Sequence, residues 1–154
     1  MALPDDLAAT LATVDLFAGL PTKVLGQLAT YGRPQSFAAG EPVIVEGAPV
    51  TGWAPFSRTG ALFHVVLDGS GEVRRHGAVI GRVGPGDYTG ELSIIDGGPR
   101  TAEVVAGPDG LSSLAFDKWT FAELLEEHPE VAVPMLRVTI ARLRRCQDEL
   151  HGEE

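Results

Sequence analysis

The stretch GDYTGELSIIDGGPRTAEV, residues 86–104, joins turn-forming glycines, a short apolar run and one arginine. We call these residues the cassette. Residues 90–95 are long enough for one helical turn, and the glycines and proline at residues 97–99 close the loop that follows. A helix N-terminus presents unpaired N–H groups and a partial positive charge, so a turn beginning beside Gly90 favours an anion. The cassette therefore predicts an anion-binding loop between two strands.

Two side chains of the cassette add chemistry to this loop. Arg100 stands where the loop rejoins a strand, and its planar guanidinium matches the oxygens of a phosphodiester. Glu91 accepts hydrogen bonds and suits a sugar hydroxyl. A small anion that carries a ribose-like diol could bind to both residues. Without the rest of the cassette, the same arginine and glutamate could equally form a weak ion pair on the surface.

Short β-strands surround the cassette. Between residues 33 and 116, glycines and prolines recur every few residues and separate runs of Val, Ile, Leu and Phe. His76 and Gly77 between two such runs predict a tight hairpin. The pattern predicts a β-sandwich, jelly roll or barrel. Its clearest predicted strands are residues 42–46, 61–67, 72–76, 79–83, 102–106 and 112–117.

Helical patterns flank this β region. Apolar spacings of three and four over residues 7–31 predict two short helices, with Pro21 in the first turn of the second. The helical pattern returns after residue 117, and Pro129 is predicted to start the last helix. We expect one domain, residues 1–154: N-terminal helices to residue 32, a β-roll over 33–117 and C-terminal helices over 118–150.

The last helix carries an apolar seam whose role the sequence leaves open. Leu136, Leu143 and Leu150 stand seven residues apart, with Val133 and Ile140 between them. This spacing fits either a dimeric coiled coil or packing against the β-roll. The arginines of the same helix are predicted to form a solvated face; they are Arg137, Arg142, Arg144 and Arg145.

Composition excludes several classes of protein. The chain has 154 residues and a formal net charge of −9, which disfavours nucleic acid and anionic membranes as partners. It shows neither a signal peptide nor a membrane-spanning apolar run, so a cytoplasmic location is expected. The single Cys146 is expected to be an inert surface thiol, and no metal site is expected from the scattered histidines. These are His64, His76, His128 and His151.

The cassette resembles that of the cyclic-nucleotide-binding domain shared by catabolite-activator-type bacterial regulators, cyclic-nucleotide-dependent kinases and gated channels. The match comprises Gly-Glu-Leu at residues 90–92 and Pro-Arg-Thr-Ala at residues 99–102. Similarity extends over nearly the whole chain. It implies a mainly β fold with flanking helices, a double-stranded β-helix or jelly-roll-like β-roll, with N-terminal helices, a short cassette helix and a C-terminal helix.

The resemblance also implies the binding site. Glu91 would bind the ribose 2′-hydroxyl and Arg100 the cyclic phosphate, while Thr101 and backbone groups around Leu92 and Ser93 assist. The residue before the Gly-Glu pair is Thr89, where the family usually has an aromatic residue. The expected ligand-binding residues are Gly90, Glu91, Leu92, Ser93, Arg100, Thr101 and Ala102, with no catalytic residue, metal or cofactor.

The function implied is a non-enzymatic sensor. It would bind cAMP or cGMP, with cAMP preferred, and transmit occupancy through the C-terminal helix to a protein partner or within a homodimer. Direct DNA binding is not expected, because no helix-turn-helix follows the closing helix. One alternative is a degenerate fold that only binds proteins, since residues 47–69 are longer than the family's loop and contain Trp53 and Phe56. Another is a cupin-like metal enzyme.

Overall fold

The computed structural model describes residues 6–44, 62–90 and 102–151. Helices lie at both ends and strands between them, in the order that the sequence predicts. The elements are α1 (Leu7–Ala12), a 3₁₀ turn (Asp15–Phe17), α2 (Thr22–Tyr31), β1 (Arg33–Phe37), β2 (Pro42–Ile44), β3 (Leu62–Arg75), β4 (Ala78–Val83), β5 (Tyr88–Thr89), β6 (Glu103–Asp117), α3 (Lys118–Glu127), a second 3₁₀ turn (Pro129–Val131) and α4 (Ala132–His151).

The N-terminal helices form where the sequence predicts them. The Asp6 carboxylate caps α1 by accepting a hydrogen bond from the Ala9 amide at 3.0 Å. Leu11 in α1 and Leu28 in α2 are buried. Pro21 precedes the first residue of α2 and does not belong to its first turn, so that detail of the prediction was wrong by one position.

The two long strands correct the predicted strand list. Residues 61–67 and 72–76 were predicted as separate strands, but both belong to β3. Residues 102–106 and 112–117 are likewise joined in β6. The glycines between them do not end the strands, because pairing of β3 with β6 resumes after register shifts at Val66/Asp68 and Gly69/Gly71.

The long strands run through both halves of the roll. In one half β6 pairs with β1 and β3 pairs with β5. In the other half β6 pairs with β2 and β3 pairs with β4. All described pairings are antiparallel, and together they form the predicted β-roll. β1 was missing from the clearest predicted strands, and residues 45–46, predicted to end the strand that begins at residue 42, lie outside the described residues.

Two apolar clusters form the core. One joins the helices to one face of the roll and includes Phe17, Phe63, Phe116 and Phe121. The other cluster lies inside the roll and includes Phe37. Strand β3 contributes side chains to both clusters, because successive side chains of a strand point to opposite faces.

The predicted hairpin between β3 and β4 is confirmed. Arg75 pairs with Ala78 across a two-residue turn. His76 and Gly77 both have positive φ, 52° and 82°, as a type I′ turn requires.

The C-terminal helices differ from the prediction in two ways. Pro129 begins a 3₁₀ turn, and α4 starts at Ala132, so Pro129 does not start the last helix. The apolar seam of α4 is exposed, which rules out its packing against the β-roll. Val131, Met135 and Val138 contact the core in its place. The four arginines of α4 are exposed, as predicted.

Candidate functional site

Both ends of the predicted ligand-binding segment are attached to β3. Thr89, the last residue of β5, pairs with His64. Glu103, the first residue of β6, pairs with Arg74. The segment between them therefore starts and ends on one strand, on either side of that strand's register shifts.

The entry to this segment is fixed by backbone hydrogen bonds. The Val66 amide donates to the Asp87 carbonyl at 2.8 Å, and the Gly86 amide donates to the Val66 carbonyl at 2.9 Å. The Asp87 carboxylate accepts a hydrogen bond from the Gly84 amide at 2.8 Å. Backbone hydrogen bonds therefore hold the turn before β5 against β3, and the Asp87 side chain stabilises the turn itself.

Tyr88 anchors this entry in the core. Its side chain is buried, and its ring centroid lies 5.6 Å from that of Phe63. Thr89, which replaces the aromatic residue usual in the family, is half-buried. The aromatic residue at this entry is therefore Tyr88, one position before Thr89, and it packs into the core.

Gly90 gives the chain its turn after β5. Its φ is 92°, in the region that glycine adopts far more readily than other residues. Gly90 and Ala102 are both half-buried, at the start and at the end of the predicted site. The other predicted ligand-binding residues, Glu91, Leu92, Ser93, Arg100 and Thr101, lie outside the described residues, as do the predicted cassette helix and residues 47–61.

Charged side chains surround the exit. The Arg74 Nε donates to the Glu72 Oε1 at 2.6 Å, and an Arg74 terminal nitrogen lies 4.0 Å from the Glu103 Oε1. Arg82 stands opposite Glu72 in the β3–β4 register. Two acidic and two basic residues therefore lie together on β6, β3 and β4, and their charges sum to zero.

A buried polar pair lies behind the entry, and sequence reasoning missed it. The His64 Nδ1 and the Ser113 Oγ are 2.9 Å apart, and both residues are fully buried. His64 sits within the apolar run of β3, a position that signals a buried histidine without naming its partner. The pair links β3 to β6 directly beside the attachment point of β5.

An open groove of about 560 Å³ lies elsewhere in the fold, between the β1–β2 turn and residues 108–110. Ser36, Glu41 and Asp109 are among its lining residues, and none of the predicted ligand-binding residues lines it. Within the described ranges, no three His, Cys, Asp or Glu side chains lie close enough together to hold a metal ion. None of the helices in those ranges is both long and apolar enough to cross a membrane.

Comparison with known proteins identifies the fold and the family. A CRP-like cAMP-activated global transcriptional regulator of Mycobacterium tuberculosis is 29% identical over 146 residues, which cover 91% of this chain and 60% of the regulator. A cAMP-dependent protein kinase regulatory subunit of Mycosarcoma maydis is 30% identical over 100 residues, covering 62% of this chain and 17% of the subunit. This chain therefore spans less than two thirds of the length of either relative.

Structural similarity agrees with these matches. The catabolite activator protein of Thermus thermophilus superposes with a TM-score of 0.73 at 26% identity, covering 88% of this chain and 61% of that one. The family model described as the cyclic nucleotide-binding domain matches residues 34–128, from β1 to the end of α3. The chain belongs to the cyclic nucleotide-binding domain family.

Proposed function

We propose that residues 1–154 act as one domain that binds a 3′,5′-cyclic mononucleotide, with cAMP as the preferred ligand. The observation that carries this proposal is the family match over the roll and cassette, residues 34–128. The two relatives, a cAMP-activated regulator and a cAMP-dependent kinase regulatory subunit, favour cAMP over cGMP.

The proposed contacts use the cassette residues that match the family motif. The Arg100 guanidinium holds the cyclic phosphate, and the Glu91 carboxylate accepts a hydrogen bond from the ribose hydroxyl. Backbone groups near Leu92 and Ser93 and the Thr101 hydroxyl complete the phosphate contacts. The fixed turn at residues 84–87 and the pairing of Glu103 with Arg74 support this assignment, because they hold both ends of the cassette in place.

The proposed output is movement of α4. This helix reaches the core through Met135 and Val138, next to Val131 of the preceding 3₁₀ turn, and its residues from 139 to 150 are exposed. That part of α4 is exposed throughout, so it can change position without loss of core packing. A ligand that binds one position more tightly shifts the population toward it by that difference in affinity.

The proposed role is regulation and not catalysis. The two relatives are a transcriptional regulator and a kinase regulatory subunit, which supports a module that passes a signal to a partner. The cyclic nucleotide is then a ligand that leaves unchanged, and no cofactor is required.

The proposal is tested by isothermal titration of the full chain with cAMP and with cGMP. Arg100→Ala removes the charge-assisted phosphate contact, and we expect it to cost about 2 kcal/mol, roughly thirtyfold in Kd. Lys23→Ala is the control, because it removes one positive charge from an exposed position of α2. We expect it to leave Kd unchanged.

Two results would contradict the proposal. If neither nucleotide binds the wild-type chain, the alternative of a fold that only binds proteins takes its place. If Arg100→Ala and Lys23→Ala bind equally well, Arg100 is not the phosphate ligand.

A further inference from the structure

Strand β3 holds the entry to the predicted ligand-binding segment, residues 86–89. The Val66 N–H donates to the entry at 2.8 Å, and the Val66 carbonyl accepts from it at 2.9 Å. His64, two residues earlier, faces the same way and pairs with Thr89. The chain turns at Gly90 directly after this pair. The pair of His64 and Thr89 therefore lies next to the first predicted ligand-binding residue.

Two contacts fix the imidazole of His64. Its Nδ1 lies 2.9 Å from the Ser113 Oγ, within hydrogen-bond distance. Its ring meets the Phe37 ring edge to face, with centroids 6.0 Å apart and an interplanar angle of 72°. All three residues are buried. Because a hydrogen bond has a preferred direction, Ser113 selects one orientation of the ring.

The imidazole lies between β6 and the entry. His64 pairs with Ala115 of β6 on one side and with Thr89 on the other. Residues that pair directly across antiparallel strands have neighbouring side chains on one face, with Cβ atoms about 5 Å apart. Ser113 lies two residues from Ala115 along β6 and is thus a diagonal neighbour of His64. The orientation that Ser113 gives to the ring therefore bears on Thr89.

Position 64 is polar where the strand around it is apolar. Phe63, Val65 and Val66 are buried apolar residues of the same strand. An apolar side chain would fill this interior position without the desolvation cost of an imidazole. A buried polar pair instead specifies one arrangement of its neighbours. In β3 this pair stands at the position that holds Thr89.

We propose that Ser113 and His64 are positioning residues for ligand binding. Ser113 orients the His64 imidazole, and the oriented ring fixes Thr89 and thereby the start of the loop that binds the ligand. The effect on affinity rests on the proposed function, whereas the effect on the order of the entry does not.

Amide hydrogen exchange in the full chain without nucleotide measures the order of the entry. We expect Ser113→Ala, which removes only the hydroxyl, to speed exchange of the Thr89 amide about tenfold relative to that of the Ala106 amide. Ala106 is the reference, because its amide donates to the Glu41 carbonyl at 2.9 Å in the other half of the roll. A loss of global stability speeds both amides alike, so the ratio reports on the entry.

Isothermal titration with cAMP measures the consequence for affinity. We expect Ser113→Ala to raise Kd about fivefold, because binding must then order a looser loop. Ser112→Ala is the matched control: Ser112 is also buried, but it pairs with Asp68 and not with a residue that holds the entry. We expect it to leave Kd unchanged. Lost stability alone does not alter Kd while nearly every chain is folded, which a cooperative melting curve of each variant shows.

The outcomes separate this proposal from the proposed function. An exchange ratio in Ser113→Ala equal to that of the wild-type chain overturns the positioning role. A raised ratio with an unchanged Kd also overturns it, because the order of the entry then has no part in binding. If the wild-type chain binds neither cAMP nor cGMP, the proposed function fails, and the exchange ratio still decides whether Ser113 and His64 order the entry.

Discussion

Gly69 and Gly110 meet where β3 and β6 pass from one half of the roll to the other. Both residues have positive φ, 78° and 77°. A Cβ built on Gly69 would collide with the carbonyl oxygen of Gly110. The crossing therefore depends on the absence of a side chain as well as on backbone conformation.

At Gly69 both effects are present, so we expect Gly69→Ala to lower the free energy of unfolding by about 3 kcal/mol. Gly77→Ala is the matched control: its φ is also positive, but apart from the adjacent residues no described atom lies within 4 Å of the added Cβ. We expect it to cost about 1 kcal/mol, from conformation alone. Urea unfolding of both variants measures the difference, and equal losses would show that the close approach to Gly110 costs nothing.

The buried contact between His64 and Ser113 can also be tested by substitution of a single residue. Ser113→Ala removes a buried hydrogen-bond partner of the imidazole, and we expect it to lower the free energy of unfolding by about 1–2 kcal/mol. Ser112→Ala is the control, because Ser112 is also buried and the described part of the structure shows no side-chain hydrogen bond for it. A loss no greater than that of the control would mean that the 2.9 Å contact contributes no net stability.

Among the secondary-structure elements, the helices were predictable and the long strands were not. Turn-forming residues at 68–71 and 107–110 indicated strand ends, because glycine breaks most strands. In the roll the same residues form irregularities at which the strands bend and continue. The sequence signal is local, whereas the partner that restores pairing is a distant segment of the chain. The sequence also left open whether the apolar seam of α4 packs against the β-roll or forms a coiled coil, because the same spacing of apolar residues suits both.

The N-terminal cap of α3 can be tested by substitution of Asp117. The Asp117 carboxylate accepts a hydrogen bond from the Thr120 amide at 2.8 Å and caps the helix. We expect Asp117→Ala to lower the free energy of unfolding by about 1 kcal/mol. Asp117→Asn retains a capping oxygen and should cost much less. Equal losses in urea titrations would indicate that the ion pair with Arg33, 3.9 Å away, matters more than the cap.

For the whole molecule, ligand binding and stability are linked. A nucleotide that binds only the folded chain stabilises it by about 2.7 kcal/mol at 100 times its Kd, which raises Tm by about 5–10 °C for a chain of this size. We expect cAMP to produce this shift in the wild-type chain and in Lys23→Ala, and a much smaller shift in Arg100→Ala at the same cAMP concentration. A thermal scan that finds equal shifts in all three would place the phosphate contact elsewhere.

The pairing of β3 with β6 also determines when the binding segment can form during synthesis. Leu62 pairs with Asp117 and Arg74 with Glu103, so residues 86–102 of the cassette lie inside the loop that these strands close. Closing that loop costs chain entropy before any pairing repays it, which makes this step slow relative to formation of the helices. A chain emerging from the ribosome therefore cannot close the proposed nucleotide site until β6 has been released.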